Sequence, residues 1–281
     1  IGMVIIMNGF FDGKNYVLSG IKNLNLAETL DCGQAFRWSM DEGGVWSAVL
    51  GDKLCRVAQD GENIIFFDCD ETIFKNLYSP YFDLERDYEK IVKTVSENKI
   101  LADACKIAGG IRILRQDPWE TVCSFIISQN NNIPRIKGII ERLCENFGED
   151  KGGFYTFPTA QKIASLSLED LSVIRSGFRA KYILDAAKKF ASGEISPEKI
   201  SLLSTADARA ELMKIYGVGE NVADCVLLFA FARVDAFPKD VWIKRAMEKL
   251  FCGELPECAK GYEGIVQQYI FHYARMTKLD I

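Results

Sequence analysis

The apolar residues of this chain change their spacing near Tyr81, and that change restricts the fold more than any other feature. Before it, KNYVLSGI (14–21), FRWSM (36–40), VWSAVL (45–50), KLCRVAQ (53–59) and NIIFFDC (63–69) are short and rich in β-branched and aromatic residues. DEGG (41–44), GDK (51–53) and DGEN (60–63) break them apart, and the first two breaks predict hairpins in an antiparallel sheet. Beyond Tyr81, apolar residues recur at three- and four-residue spacing in 83–95, 118–129, 133–147, 168–175, 180–191, 205–216 and 261–276. Asp117-Pro118, and Ser204 with Asp207, read as helix starts. The expected class is α+β, with an N-terminal antiparallel β-domain (1–95) packed on a larger helical domain (96–281). At 281 residues and 48% hydrophobic, the chain can bury a full core without covalent staples. It shows neither a solenoid repeat nor a low-complexity tract.

Several functional classes are excluded. The nine cysteines include no C-x-x-C pair, and Cys252 and Cys258 stand alone as C-x5-C, which fits reduced, mostly buried thiols rather than a disulfide framework, zinc site or cluster. The sole histidine, His272, leaves a His-based triad or metal site without its parts unless it serves the triad itself. The N-terminus IGMVIIMNGFF lacks a basic n-region and a cleavage site, and no run reaches the length of a membrane span. A cytoplasmic monomer with no membrane association, metal or cofactor is expected. The net charge of −5 argues mildly against a nucleic-acid partner, although a local positive face or oriented backbone amides suffice for binding.

The most informative stretch is GVGENVADCVLLFAFARVDAFPKD (217–240). Gly217 and Gly219 join two helices in a tight hairpin, and the amides of Gly219 and Glu220 open a helix N-terminus that attracts phosphate. A lone G-x-G is more often a plain helix corner. VADCVLLFAFA is apolar on all sides, the pattern of a buried spine, and FPKD then returns a carboxylate toward its head.

CGQAFRW (32–38), GIRILRQDPWE (110–120), SQNNNIPRI (128–136), SGFRAKY (176–182), GVGENVADC (217–225) and FPKDVW (237–242), in that order, resemble the helix-hairpin-helix DNA glycosylases. More narrowly, they are similar to 8-oxoguanine DNA glycosylases of the type shared by animals and some bacteria, over about Asn15 to Met276. The resemblance implies base excision repair. Duplex DNA carrying 8-oxoguanine, preferably opposite cytosine, is bound, and the lesion nucleotide is flipped out of the stack. It implies that the Gly33 carbonyl accepts the N7–H that distinguishes 8-oxoguanine from guanine. Cys225 and Phe271 would sandwich the base, Gln267 would bond its Watson–Crick edge, and Trp242 would join the substrate residues. Asn130 would fill the vacated space, Arg135 and Arg179 would grip the orphaned cytosine, and Phe178 would wedge into the stack. Gly217 and Gly219 would hold the DNA backbone.

The resemblance also exposes a conflict. Family enzymes with lyase activity carry a lysine two residues after the second glycine of the hairpin; here that position is Asn221, whose amide forms no imine. Asp240 matches the essential carboxylate and also reads as a helix N-cap. Lys239 stands where the family has an apolar residue. Three accounts remain open: Lys239 supplies a displaced amine, lesion binding survives with weak cleavage, or Asp240 activates water. Adjacent residues of an extended loop point apart, which counts against Lys239, whereas a lysine lost beside a lysine gained counts for it. The rivals are a non-catalytic lesion binder, a glycosylase for another lesion and a generic helix-hairpin-helix module.

Overall fold

A computed structural model describes residues 8–279; of the apolar N-terminal stretch 1–11 weighed above as a leader, residues 8–11 form a strand and 1–7 lie outside the described residues. Six strands, β1 (Asn8–Phe11), β2 (Tyr16–Ser19), β3 (Ser39–Met40), β4 (Trp46–Leu50), β5 (Lys53–Asp60) and β6 (Asn63–Phe66), form one antiparallel sheet of order β1-β2-β6-β5-β4-β3. The expected hairpins at 41–44 and 51–53 join β3 to β4 and β4 to β5. Gly44 and Gly51 sit at φ +78° and +62°, where a side chain is strained.

Alternation along the strands turns Leu18, Cys55, Val57, Ile64 and Phe66 to a single face. That face is covered by residues 71–82, where α2 (Glu71–Ile73) and α3 (Ser79–Tyr81) flank a π turn at Phe74–Tyr78. Aromatic contacts fasten this layer, including Tyr16 stacked on Phe74 at 3.9 Å and Phe66 against Tyr78 at 5.4 Å. The short helix α1 (Leu26–Leu30) follows β2 and is capped by Asn25.

The remaining helices are α4 (Tyr88–Val95), α5 (Lys99–Ala108), α6 (Pro118–Ser128), α7 (Ile133–Phe147), α8 (Ala160–Ala164), α9 (Arg179–Ser192), α10 (Pro197–Leu202), α11 (Thr205–Leu212), α12 (Glu220–Phe231), α13 (Val241–Phe251) and α14 (Glu263–Met276). The sequence signals for helix starts hold: Asp117 caps α6, Ser204 caps α11 while bonding Asp207, and Asp240 caps α13. The segment expected to be helical at 168–175 is a 3-10 turn at Asp170–Ile174, too short for an α-helix to propagate.

Every residue of α12 from Val222 to Ala230 is buried, as its all-round apolar pattern predicts. The helix therefore runs through the core, and its first turn is fixed relative to everything around it. The two cores, one under the sheet and one among the helices, are stitched together by the extended segment 109–117. There the Gly110 carbonyl accepts from Asn25 N (2.9 Å) and Thr29 Oγ1 (3.0 Å), and Gln116 N donates to the carbonyl of Phe229 on α12 (2.7 Å).

Candidate active site

A cavity of about 540 Å3 opens where the loop after α1, the end of α6, the head of α12, the loop before α13 and α14 converge. Of the sequence-predicted residues, Gly33, Asn130, Asn221, Cys225, Asp240, Trp242, Gln267 and Phe271 all line it. His272, next to Phe271, does not.

Gly33 has φ +89°, so glycine alone enters this turn without strain, and an added Cβ would lie 3.8 Å from Ile133. The next residue holds it in place. The buried Gln34 side chain donates to Thr29 O (2.9 Å) and Arg112 O (2.8 Å) and accepts from Leu114 N (2.9 Å). The Gln34 carbonyl accepts from Gln116 Nε2 (2.7 Å). Since Gln116 N is bonded to α12, the Gly33 turn is registered against the helix that carries Asn221 and Cys225. Burial pushes the Cys225 thiol well above its ordinary pKa, which makes it an apolar plate rather than a nucleophile.

Gln267 and Phe271 share one face of α14, four residues apart. Gln267 Oε1 accepts from Gln268 Nε2 at 2.6 Å, which leaves the Gln267 amide hydrogens for a ligand. Gln268 also lines the cavity, and its Oε1 is buried without a partner. Sequence reasoning missed Gln268. The doubled glutamine was its signal, but the resemblance pointed to Gln267 alone.

Asp240 caps α13 through Oδ1, which accepts from Ile243 N at 2.7 Å; Oδ2 has no partner among the described residues. Its neighbour Lys239 does not line this cavity. It lines an adjoining one of about 410 Å3 with Arg209 and Asp224, and its Nζ lies 5.4 Å from the Phe237 ring centroid. Asn221 borders both cavities and so forms part of the wall between them. Among the described residues, no lysine or arginine lines the cavity that holds Asp240.

The asparagine run serves the local backbone as well as the cavity. Asn130 takes φ +49°, Asn131 Nδ2 bonds back to Ile127 O (3.1 Å), and Asn132 caps α7. Arg179 is buried and donates to the carbonyls of Gln129, Asn130 and Ser176, so it fastens the Asn130 turn in this structure. Burial, with Arg135 nearby, lowers its pKa. Arg135 and Phe178 lie outside the 540 Å3 cavity, on a neighbouring concavity, and Phe178 is 54% exposed.

The hairpin glycines differ in function. Gly217 has φ +83°, and a Cβ there would lie 2.5 Å from the Tyr182 ring. Gly219 is extended at φ −100°, begins α12 with no side-chain cap, and has nothing within 4 Å of an added Cβ. Its open helix end therefore stays available to an acceptor. A half-buried ion pair, Arg209 Nε to Asp224 Oδ1 at 2.6 Å, ties α11 to α12 behind this turn. Among the described residues no helix is long and apolar enough to cross a membrane.

A hairpin of helices at the mouth of a mostly apolar cavity with one acid defines a class, and residues 123–257 match it: the HhH-GPD superfamily of base excision DNA repair proteins. Residues 17–122 match the N-terminal domain of 8-oxoguanine DNA glycosylase. The chain belongs to the 8-oxoguanine DNA glycosylase family. It is 35% identical to the N-glycosylase/DNA lyase of Saccharomyces cerevisiae over 255 residues, 80% of this chain and 68% of the yeast protein. Its fold superimposes on MBOgg1 in complex with a low-affinity DNA ligand, with TM-score 0.91, 42% identity and coverage of 97% of this chain and 99% of that one. It also superimposes on the Clostridium acetobutylicum 8-oxoguanine glycosylase/lyase in complex with duplex DNA containing cytosine opposite 8-oxoguanine, with TM-score 0.90, 36% identity and coverage of 98% and 99%.

Proposed function

We propose that this chain binds duplex DNA containing 8-oxoguanine opposite cytosine, turns the lesion nucleotide into the 540 Å3 cavity and releases its base. The observation that carries this reading is the convergence of Gly33, Cys225, Gln267 and Phe271 with Asp240 on one cavity. In this scheme the Gly33 carbonyl accepts N7–H, Cys225 and Phe271 hold the two faces of the base, and the Gln267 amide and orphaned Gln268 Oε1 meet its polar edge. Asn130 and Phe178 fill the gap in the stack, and Arg135 addresses the cytosine. Arg179 joins it on leaving its present carbonyl partners. The amides at Gly219 and the turn at Gly217 receive a backbone phosphate.

For the chemical step we propose water as nucleophile. The bond from C1′ to the base breaks, its electrons leave with the base, and Asp240 Oδ2 offsets the positive charge on the sugar. Water adds to C1′, and its proton passes through the Asp240 carboxylate to solvent. The imine route that leads to strand cleavage requires an amine at C1′. Asn221 offers none, and Lys239 lies in the adjoining cavity. We take the acting unit to be a cytoplasmic monomer, and the scheme calls on no metal or cofactor.

Borohydride trapping during single-turnover reaction with an 8-oxoguanine:cytosine duplex tests the scheme. The expected result is free base, an abasic strand that breaks only in alkali, and no trapped adduct; Asn221→Lys gains the adduct. A wild-type adduct abolished by Lys239→Ala would establish the displaced amine instead. Absence of base release would leave a lesion-binding protein.

A further inference from the structure

Beside the lesion cavity, across the Asn130 turn, lies a second concavity of about 520 Å3 that the scheme above uses only through Arg135 and Phe178 at its rim. Arg175 and Lys181 also line it, and no acidic side chain does. Among the described residues none of the three cations forms an ion pair.

The loop between the cations is built with its donors unused. Its carbonyls are held from within: Ile174 O accepts from Arg142 Nε (3.1 Å) and Ser176 O from Arg179 Nη1 (3.3 Å). The amides of Ser176, Gly177 and Phe178 meet no acceptor among the described residues. The sign of φ alternates, +62° at Gly177 and −60° at Phe178, which turns successive amides toward a common side. Ser176 lines the concavity and is 1% exposed overall, and its hydroxyl is buried without a hydrogen-bond partner. Lys181 Nζ lies over the Tyr182 and Tyr216 rings at 5.3 and 5.4 Å, while Arg135 and Arg175 have no ion-pair partner among the described residues; free amides beside these cations call for an acceptor with several oxygens and a negative charge.

We propose that this concavity binds a phosphodiester group of the strand opposite the lesion. The proposal rests on the scheme above, in which Phe178 and Asn130 enter the stack: a lesion nucleotide turned into the first cavity leaves the complementary strand facing the second. Arg175 neutralises the phosphate, Lys181 turns from the Tyr182 and Tyr216 rings to join it, and the loop amides bond its oxygens. This contact is blind to sequence; it sets the register in which Arg135 meets the cytosine.

The test measures binding of the full chain to a duplex with an abasic analogue opposite cytosine, so that it does not depend on base release. Single phosphates near the cytosine are replaced by uncharged methylphosphonates, one position at a time. In the complementary strand, one or two positions should weaken wild-type binding by about tenfold, the worth of one charged hydrogen bond. The same substitutions should cost Arg175→Gly nothing further. This variant suits the φ of +55° at Arg175 better than the native residue does, so it keeps the fold. The log–log salt slope of binding should also fall by about one for Arg175→Gly, and again for Lys181→Ala. Equal penalties in wild type and variant at every complementary-strand position would overturn the proposal, as would sensitive positions confined to the lesion strand. Inorganic phosphate at constant ionic strength separates the sources. If it binds at Arg175 while no strand position couples, the site takes a free anion and the proposal fails. Lack of base release by the wild-type enzyme, with this coupling intact, would overturn the chemical scheme alone.

Discussion

Asp240 caps α13 and, in the proposed scheme, also offsets charge on the sugar; one pair of substitutions separates the two. As N-cap it accepts from Ile243 N at 2.7 Å through Oδ1, and asparagine caps about as well as aspartate, whereas alanine loses about 1 kcal/mol. In the proposed scheme the Oδ2 side faces the sugar. A full negative charge about 4 Å from a full positive one is worth roughly 1 kcal/mol in water and roughly 4 kcal/mol at an effective dielectric of 20. Asp240 is exposed in the free protein, so the first figure describes the open cavity. DNA laid over the mouth excludes water and moves the system toward the second, about 10³-fold in rate. Asp240→Asn should therefore melt within about 1 °C of the wild type and lose about 10²- to 10³-fold in single-turnover base release. Asp240→Ala should lose the same rate and in addition melt on the order of 2 °C lower. Calorimetry and quenched-flow release from one 8-oxoguanine duplex measure both. If Asp240→Asn releases base within tenfold of the wild type, the carboxylate does not offset sugar charge and the scheme is wrong.

Three other outcomes follow from single contacts. Gly217→Ala forces φ +83° on a residue whose Cβ meets the Tyr182 ring at 2.5 Å, and should cost about 2 kcal/mol or more, while Gly219→Ala, in open space, should cost less than about 1 kcal/mol; denaturant titration compares them. Burial raises the Glu120 pKa to about 7 despite Arg37 at 3.3 Å. The folded chain then keeps a proton that the unfolded chain loses above pH 4.5, so stability falls between pH 4.5 and about 7, and the loss, at most about 3 kcal/mol, persists above. Glu120→Gln should remove that loss, so its melting temperature should gain on the wild type as pH rises from about 5 to about 8; a constant gap refutes the reasoning. Gln116→Ala frees the Gln34 carbonyl and loosens the Gly33 turn; discrimination of 8-oxoguanine over guanine should fall by about tenfold with little change in affinity for an abasic duplex.

The sheet was legible because its strands alternate and its breaks contain the residues that tight turns require. The long helices were legible from spacing and caps. The elements left unread share a physical cause. α1, α8 and α10 run only five, five and six residues, too short for a period to register. α5 buries Leu101, Ala104 and Ala108, and two alanines in three core positions mute the apolar signal. The site was legible only through resemblance, since Gly33, Cys225 and Phe271 carry no spacing that predicts a shared cavity. Gln34 and Gln116 were out of reach, because a buried amide acquires its meaning from backbone groups distant in the chain.

The positions of Asn221 and Lys239 show what residue identity alone leaves undecided. An asparagine where an amine is expected, beside a lysine where none is expected, reads equally as relocation or as loss. The proposed reading, loss rather than relocation, leans on α12, whose burial from Val222 to Ala230 fixes the direction of its first turn. Asn221 is thereby held in the wall between two cavities, and the extended loop that turns Asp240 into one turns Lys239 into the other. In this structure Lys239 lines the adjoining cavity, while Asp240 accepts from Ile243 N at the head of α13, so the proposed water route uses the carboxylate where it already stands.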